Sequence, residues 1–170
     1  PRPDRELPVK DWAVRGTGGG EQRVVKSLFL GDGEMEAHNW KLAAKYRELG
    51  EKEARWEDYL TSDADLIVTG FGSAARIAKT AVMMAREEGM HVGLLRPITL
   101  FPFPTQAFAL ATERCKAVLD IELNTGQMVD DVRLSVARDA EVHFYGRPAG
   151  TGSLPTPEEL FEQIKMHYRS

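Results

Sequence analysis

The chain has 170 residues, 42% hydrophobic and 28% charged, which is enough apolar material for one globular domain with a sizeable core. Its 22 Lys and Arg against 26 Asp and Glu leave a formal charge of −4, a balance with no footprint for nucleic acid or for an anionic membrane surface. No apolar run approaches the roughly 18 residues that span a bilayer. Cys115, the one cysteine, excludes an intramolecular disulfide and falls short of the thiolate set that holds an iron–sulfur cluster.

Residues 1–22 form a Pro- and Gly-rich stretch containing Gly16-Thr17-Gly18-Gly19-Gly20, which reads as a flexible N-terminal segment that Trp12 and Val14 could pin. Pro1-Arg2-Pro3-Asp4 does not resemble a signal peptide, and the chain reads as a piece of something longer. The lone thiol fits a reducing cytoplasm. From residue 23 to 170 the pattern is that of one α/β domain. Val24 to Leu30 reads as a strand closed by Gly31-Asp32-Gly33. Glu34 to Leu60 is charged and helix-favouring, with Leu42, Tyr46, Leu49, Trp56 and Leu60 near one face and Glu53 interrupting them. Glu48 before Lys52 and Glu51 before Arg55 are favourable i,i+4 pairs, and Gly50 is a place for a bend. This stripe either docks on another surface or covers its own core.

Regular alternation begins after Asp63. Leu66-Ile67-Val68 is a buried strand, and Ser73 is placed to cap a helix carrying Ala74, Ile77, Ala78, Ala81, Val82 and Ala85 inward. Gly89 stands where a left-handed residue ends that helix. His91 to Leu95 is the next strand. Arg96 to Pro104 is too rich in proline for a helix or a central strand, and a short helix from about Thr105 to Arg114 follows. Ala117 to Leu123 climbs through apolar residues into a carboxylate, as a buried parallel strand does before a helix, here one carrying Val129, Val132 and Val136. Val142 to Tyr145 is a last strand. Thr156-Pro157-Glu158-Glu159 has a capping Thr, Pro at the first helical position and Glu three residues after the cap. Strands separated by such helices imply a mostly parallel sheet with helices on both faces.

Gly70-Phe71-Gly72-Ser73-Ala74-Ala75 follows a strand and opens a helix, matching a dinucleotide fingerprint in its alanine form. Arg96 then stands where an acid would meet a ribose, and would suit the 2′-phosphate of NADP(H). The other reading is a tight turn that lets the helix pack on the sheet. No nucleophile elbow, phosphate loop or zinc-binding helix motif is present. His38, His91, His143 and His167 are too scattered for a local metal motif, and no metal-ligating set is assigned. Glu122, at a strand end, is the most plausible isolated acid, or else a carboxylate that fixes its own loop. Asn124 and Gln127 suit holding a loop or a neighbouring chain. By its residues the chain reads as a binding or assembly module.

Three stretches, Asp63 to Arg76, Gly93 to Pro104 and Glu122 to Met128, resemble in order the alpha subunit of 2-oxoacid:ferredoxin oxidoreductases, of the 2-oxoglutarate or branched-chain 2-oxoisovalerate type. The likeness covers about residues 23 to 168. It implies a fold like the transketolase carboxyl-terminal domain: three α/β/α layers, a five-stranded, mostly parallel sheet, and one antiparallel strand, the first, expected at Val24 to Leu30. It also implies a complex that oxidatively decarboxylates a 2-oxoacid to an acyl-CoA and reduces ferredoxin, using thiamine diphosphate, Mg2+, iron–sulfur clusters and coenzyme A. The pyrimidine-binding domain of the same subunit and the other subunits would be its partners. This piece would bind no cofactor and be inactive alone, and no catalytic residue carries over. Phe71, Gly72, Ser73, Arg76, Arg96, Phe101, Phe103, Glu122, Asn124, Gly126 and Gln127 are carried over as signature positions at the sheet's carboxyl edge, expected to meet a missing domain or subunit. An NADP(H)-binding enzyme domain and a transketolase or 2-oxoacid dehydrogenase relative are the alternatives.

Overall fold

A computed structural model describes residues 8–10, 13, 16, 24–115, 117–148, 150, 152 and 154–168. Most of segment 1–22, including Trp12 and Val14, therefore lies outside the described residues. The chain divides into two units, Pro1–Trp40 and Lys41–Ser170.

In the first unit, residues 24–30 form no strand, which corrects the reading of Val24 to Leu30. Val24, Val25, Leu28 and Leu30 are exposed, and Phe29 instead stacks on His38 with ring centroids 4.4 Å apart. The turn at 31–33 leads into helix α1 (Glu34–Glu53), which begins in the first unit and continues into the second from Lys41, with the Gly31 N–H donating to Glu34 Oε2 at 3.3 Å. The helix runs unbroken through Gly50, and none of its residues is buried. Among the described residues neither core cluster contains an α1 residue, and Leu42 and Leu49 of the stripe are half-buried. Lys52 pairs with Glu48 at 2.7 Å as the spacing predicts, whereas Arg55, beyond the helix end, pairs with Glu53.

The second unit is built on five strands: β1 (Trp56–Tyr59), β2 (Leu66–Gly70), β3 (Val92–Pro97), β4 (Ala117–Glu122) and β5 (Glu141–Gly146). The spatial order is β1-β3-β2-β4-β5, with β1 antiparallel to β3 and the remaining pairs parallel. The antiparallel strand is thus Trp56–Tyr59, hidden in the stretch expected to be helical to Leu60. Trp56-Glu57-Asp58-Tyr59 alternates exposed and half-buried positions, the period of an edge strand. β3 also runs further than expected. Arg96 and Pro97 extend past the end of β2's pairing and lie beside β1 alone, so Pro97 leaves no ladder bond to β2 unmade.

Four helices cover the sheet: α2 (Ser73–Glu87), α3 (Thr105–Thr112), α4 (Met128–Ser135) and α5 (Pro157–His167). Period-two alternation divides each strand between two cores. Leu66, Val68, Leu94, Leu119 and Ile121 meet Ala78, Ala81, Val82 and Ala85 of α2 and Leu160, Phe161 and Ile164 of α5. Ile67, Leu95 and Val118 meet Ala107 and Phe108 of α3 and Met128 and Val132 of α4 on the other face. Each fully buried Leu, Ile or Val contributes about 1.5–3 kcal/mol. Small alanines let α2 lie close to the strands. Ile77, expected inward, is half-buried, and Ala75 takes the buried place. Gly89 ends α2 with φ 82°, the left-handed conformation its position called for.

Arg86, near the end of α2, clamps three segments. It donates to both carboxylate oxygens of Asp63 at 2.7 and 2.8 Å, to Leu60 O at 2.7 Å and to Val92 O at 2.7 Å. Its guanidinium holds the Asp63 carboxyl down at about 2. A Cβ on Gly93 would sit 2.6 Å from Leu60 O, so only glycine lets the turn after β1 fold over β3.

Candidate functional site

The strand order reverses between β2, whose following helix leads out to β3, and β4, reached by crossing back over β2. In open α/β sheets the crevice outside the carboxyl ends at such a reversal is where ligands and contacts gather. Here it is a groove of about 440 Å3, with Phe71, Gly72 and Ser73 from the β2–α2 turn on one side. Glu122, Asn124 and Gln127 from the β4–α4 turn form the other, and Leu100 closes the rim. Six of the sequence-predicted positions therefore line one cavity.

The β4–α4 turn is organised by Glu122. Its carboxylate accepts from the Asn124 side-chain amide at 2.9 Å and from the backbone N–H groups of Gln127, Met128 and Val129 at 2.9–3.2 Å. The charge thus sits on the amino terminus of α4, where free N–H groups and the helix dipole favour an anion. Burial raises the Glu122 pKa, but the Met128 N–H, the Asn124 amide and the Val129 N–H outweigh it and hold the carboxyl below its ordinary range. Of the two readings of Glu122, the geometry is that of the loop-fixing carboxylate. Asn124 is spent inside the loop as well, since its Oδ1 accepts the Gly126 N–H at 2.6 Å. Gly126 has φ 103°, and a Cβ there would come within 3.3 Å of Phe144 and Val129. Gln127 and Phe71 are exposed on opposite walls.

On the β2 side, Gly72 is the cap of α2, with φ 57° and ψ −121° and no side-chain capping bond. Ser73, expected as the cap, is the first helical residue. The cap torsions suit glycine, so a glycine turn replaces the side-chain cap that Ser73 would have made.

Beneath the groove lies a residue that sequence reading passed over. Asp120, two residues before Glu122 on the same face of β4, is fully buried, and neither Oδ1 nor Oδ2 is met by a donor in hydrogen-bonding geometry. Its register neighbour on β2, Thr69, is also buried with an unpartnered hydroxyl. Burial, and then the charge of Glu122, raise the Asp120 pKa to about 8. The signal was present in the sequence: an aspartate in the middle of an otherwise apolar strand.

With this geometry in hand, the family model described as pyruvate:ferredoxin oxidoreductase core domain II matches residues 64–160, more than half of the chain. The chain belongs to that family. Core domain II here is 42% identical over 137 residues to ketoisovalerate oxidoreductase subunit VorB of Methanothermobacter thermautotrophicus, covering 79% of this chain and 39% of the relative. It is 38% identical over 108 residues to 2-oxoglutarate synthase subunit KorA of the same organism, covering 64% of this chain and 28% of the relative. The chain thus spans well under half the length of these curated relatives.

Among solved structures, the fold is similar to 2-oxoglutarate:ferredoxin oxidoreductase from Magnetococcus marinus, solved with 2-oxoglutarate, coenzyme A and succinyl-CoA bound. The TM-score is 0.67 at 22% identity, over 78% of this chain and 23% of that one. A split-gene transketolase, an inactive beta4 tetramer, matches with a TM-score of 0.55 at 16% identity, over 66% of this chain and 41% of that one. Both likenesses show the three-layer fold with its mixed five-stranded sheet.

The remaining candidates of core domain II lie outside the β4 side of the groove. Arg76 and Arg96 line a second cavity of about 520 Å3 with Gly72, Ser73, Lys79 and Glu57. Glu57 accepts from both Lys79 and Arg96 at 3.0 Å, so the arginine the dinucleotide reading needs for a 2′-phosphate is paired with the edge strand. Those two cations lower the Glu57 pKa. Phe103 is half-buried and stacks on Phe108 at 5.1 Å, whereas Phe101 is exposed and meets Tyr46 edge-on at 5.7 Å. His143 and His167, far apart in sequence, stack at 4.1 Å between β5 and α5. Among the described residues no three His, Cys, Asp or Glu converge on a metal position, and no helix is long and apolar enough to cross a membrane.

Proposed function

We propose that this chain is the core domain II of the alpha subunit of a thiamine-diphosphate-dependent 2-oxoacid:ferredoxin oxidoreductase, and that its role there is assembly. The whole complex would oxidise a 2-oxoacid to an acyl-CoA and pass the electrons to ferredoxin. Identity and coverage are both higher toward the VorB relative than toward the KorA relative, which favours a branched-chain 2-oxoacid. The observation that carries the assembly role is the state of Glu122. Of the two acids that line the groove, Glu122 is committed to four donors of its own loop, and Asp131 is exposed on the first turn of α4, which supports a contact surface rather than an acid–base pair. Exposed Phe71 and Gln127 flank it as contact groups.

What supports this role is that, among the described residues, no three His, Cys, Asp or Glu are grouped to hold a metal ion or a cluster. The Cys115 thiol is buried against the carbonyls of Asp65 and Ala117 at 3.0 and 3.1 Å. On this reading thiamine diphosphate, Mg2+, the clusters and coenzyme A are held by the rest of the complex. The partners that core domain II meets are the pyrimidine-binding domain and the neighbouring subunits, in the cytoplasm. The test is co-purification of the full-length subunit with its partners. Phe71→Asp together with Gln127→Ala should weaken subunit association and lower turnover several-fold. Full association and turnover in the double variant would refute the docking role of the groove.

A further inference from the structure

Glu122 holds the β4–α4 turn, and its two oxygens are occupied by four donors, a geometry that requires the ionised acid. Strand periodicity puts Asp120 on the same face, one register step deeper, with 0% exposure and with no donor meeting either oxygen. A second carboxylate in that position would be a buried charge with no partner beside a like charge, the costliest arrangement available to it. As a neutral acid it has a proton to give, and the Glu122 carboxylate is near enough to share a side-chain hydrogen bond with it.

We propose that Asp120 is a positioning residue that stays protonated at neutral pH and donates its carboxyl proton to Glu122, making the pair a proton-dependent latch on the turn that forms one wall of the groove. The surroundings agree from every packed element. β2 presents the Thr69 hydroxyl and β5 presents Phe144 at the register positions flanking Asp120. α4 contributes Met128 and Val132, and α3 contributes Ala107 and Phe108 to the same apolar layer. The charged groups acting on Asp120 are Glu122 and, more weakly, Arg133, whose guanidinium is exposed and paired with Asp130 at 3.1 Å. Among the described residues no fully buried Lys or Arg is present to stabilise the ionised form of Asp120.

The sign of the pH dependence follows from burial raising the Asp120 pKa from 3.8 to about 8. Between those values the folded chain holds a proton that the unfolded chain has released. The stability Asp120 contributes is complete below about pH 4 and is lost as pH rises toward 8. The test compares the full chain with its Asp120→Asn variant, which keeps a donor at the same place but cannot ionise. The melting temperature of D120N minus that of the parent should grow steadily from pH 4 to 8 and level off above. In carbon NMR of the parent, one aspartate carboxyl should titrate near 8, and the Met128 and Val129 amides should lose protection through the same range. A pH-independent difference in melting temperature would overturn the latch. So would an Asp120 carboxyl titrating in the ordinary range, a measurement on the parent that stands even if D120N fails to fold. The latch concerns the chain's own turn, so its test is independent of what docks on the groove.

Discussion

Glu122 does its work by gathering several donors of its own turn. A glutamine at this position offers one acceptor oxygen where the turn presents four donors, and turns an amide toward N–H groups that cannot accept from it. Glu122→Gln should cost about 2–4 kcal/mol, because bonds to an ionised acceptor are lost and helix-terminal donors are left buried. Chemical denaturation at neutral pH would measure it. The parent should lose this contribution as pH falls below the carboxylate range, since the folded-state pKa of Glu122 is depressed. E122Q should not. A variant within a few tenths of a kcal/mol of the parent would show that the turn is held by something else.

At the scale of elements, what the sequence disclosed depended on whether a pattern was local. The α5 start was fully legible: Thr156 accepts the Glu159 N–H at 3.2 Å while the Glu159 carboxylate accepts the Thr156 N–H at 2.7 Å, the reciprocal box written in Thr-Pro-Glu-Glu. Thr156→Ala should cost about 1 kcal/mol, read as a drop in melting temperature of roughly 2–4 °C. An unchanged melting temperature would mean that packing of Leu160, Phe161 and Ile164 alone sets the helix. The antiparallel strand was not legible in this way. Trp56–Tyr59 has only four residues, and what makes it a strand is the edge of β3 beside it, a partner about forty positions away. Val24 to Leu30 failed in the opposite sense, with an apolar run and no edge to join. The site divided similarly. Position alone put Phe71, Gly72, Ser73, Glu122, Asn124 and Gln127 on one groove, but that Glu122 and Asn124 are consumed inside the turn is a fact of torsion and distance. Asp120 became notable only once its oxygens were found without donors.

At the scale of the whole molecule, β2 is the hub. It pairs with β3 on one side and β4 on the other, and both cores draw on its side chains. The layer under α3 and α4 also encloses Cys115, 1% exposed and the one cysteine in the chain. That burial makes the thiol a built-in clock for the opening of this layer, with no engineered label. At reagent concentrations low enough that reclosing outpaces alkylation, its modification rate should equal the population of the opened form multiplied by the rate of a free thiol. Intact mass spectrometry would count a single adduct, and the ratio of the observed rate to the free-thiol rate would give the free energy of opening. Immediate labelling at the rate of a free thiol would show that this face of the sheet stands open in solution.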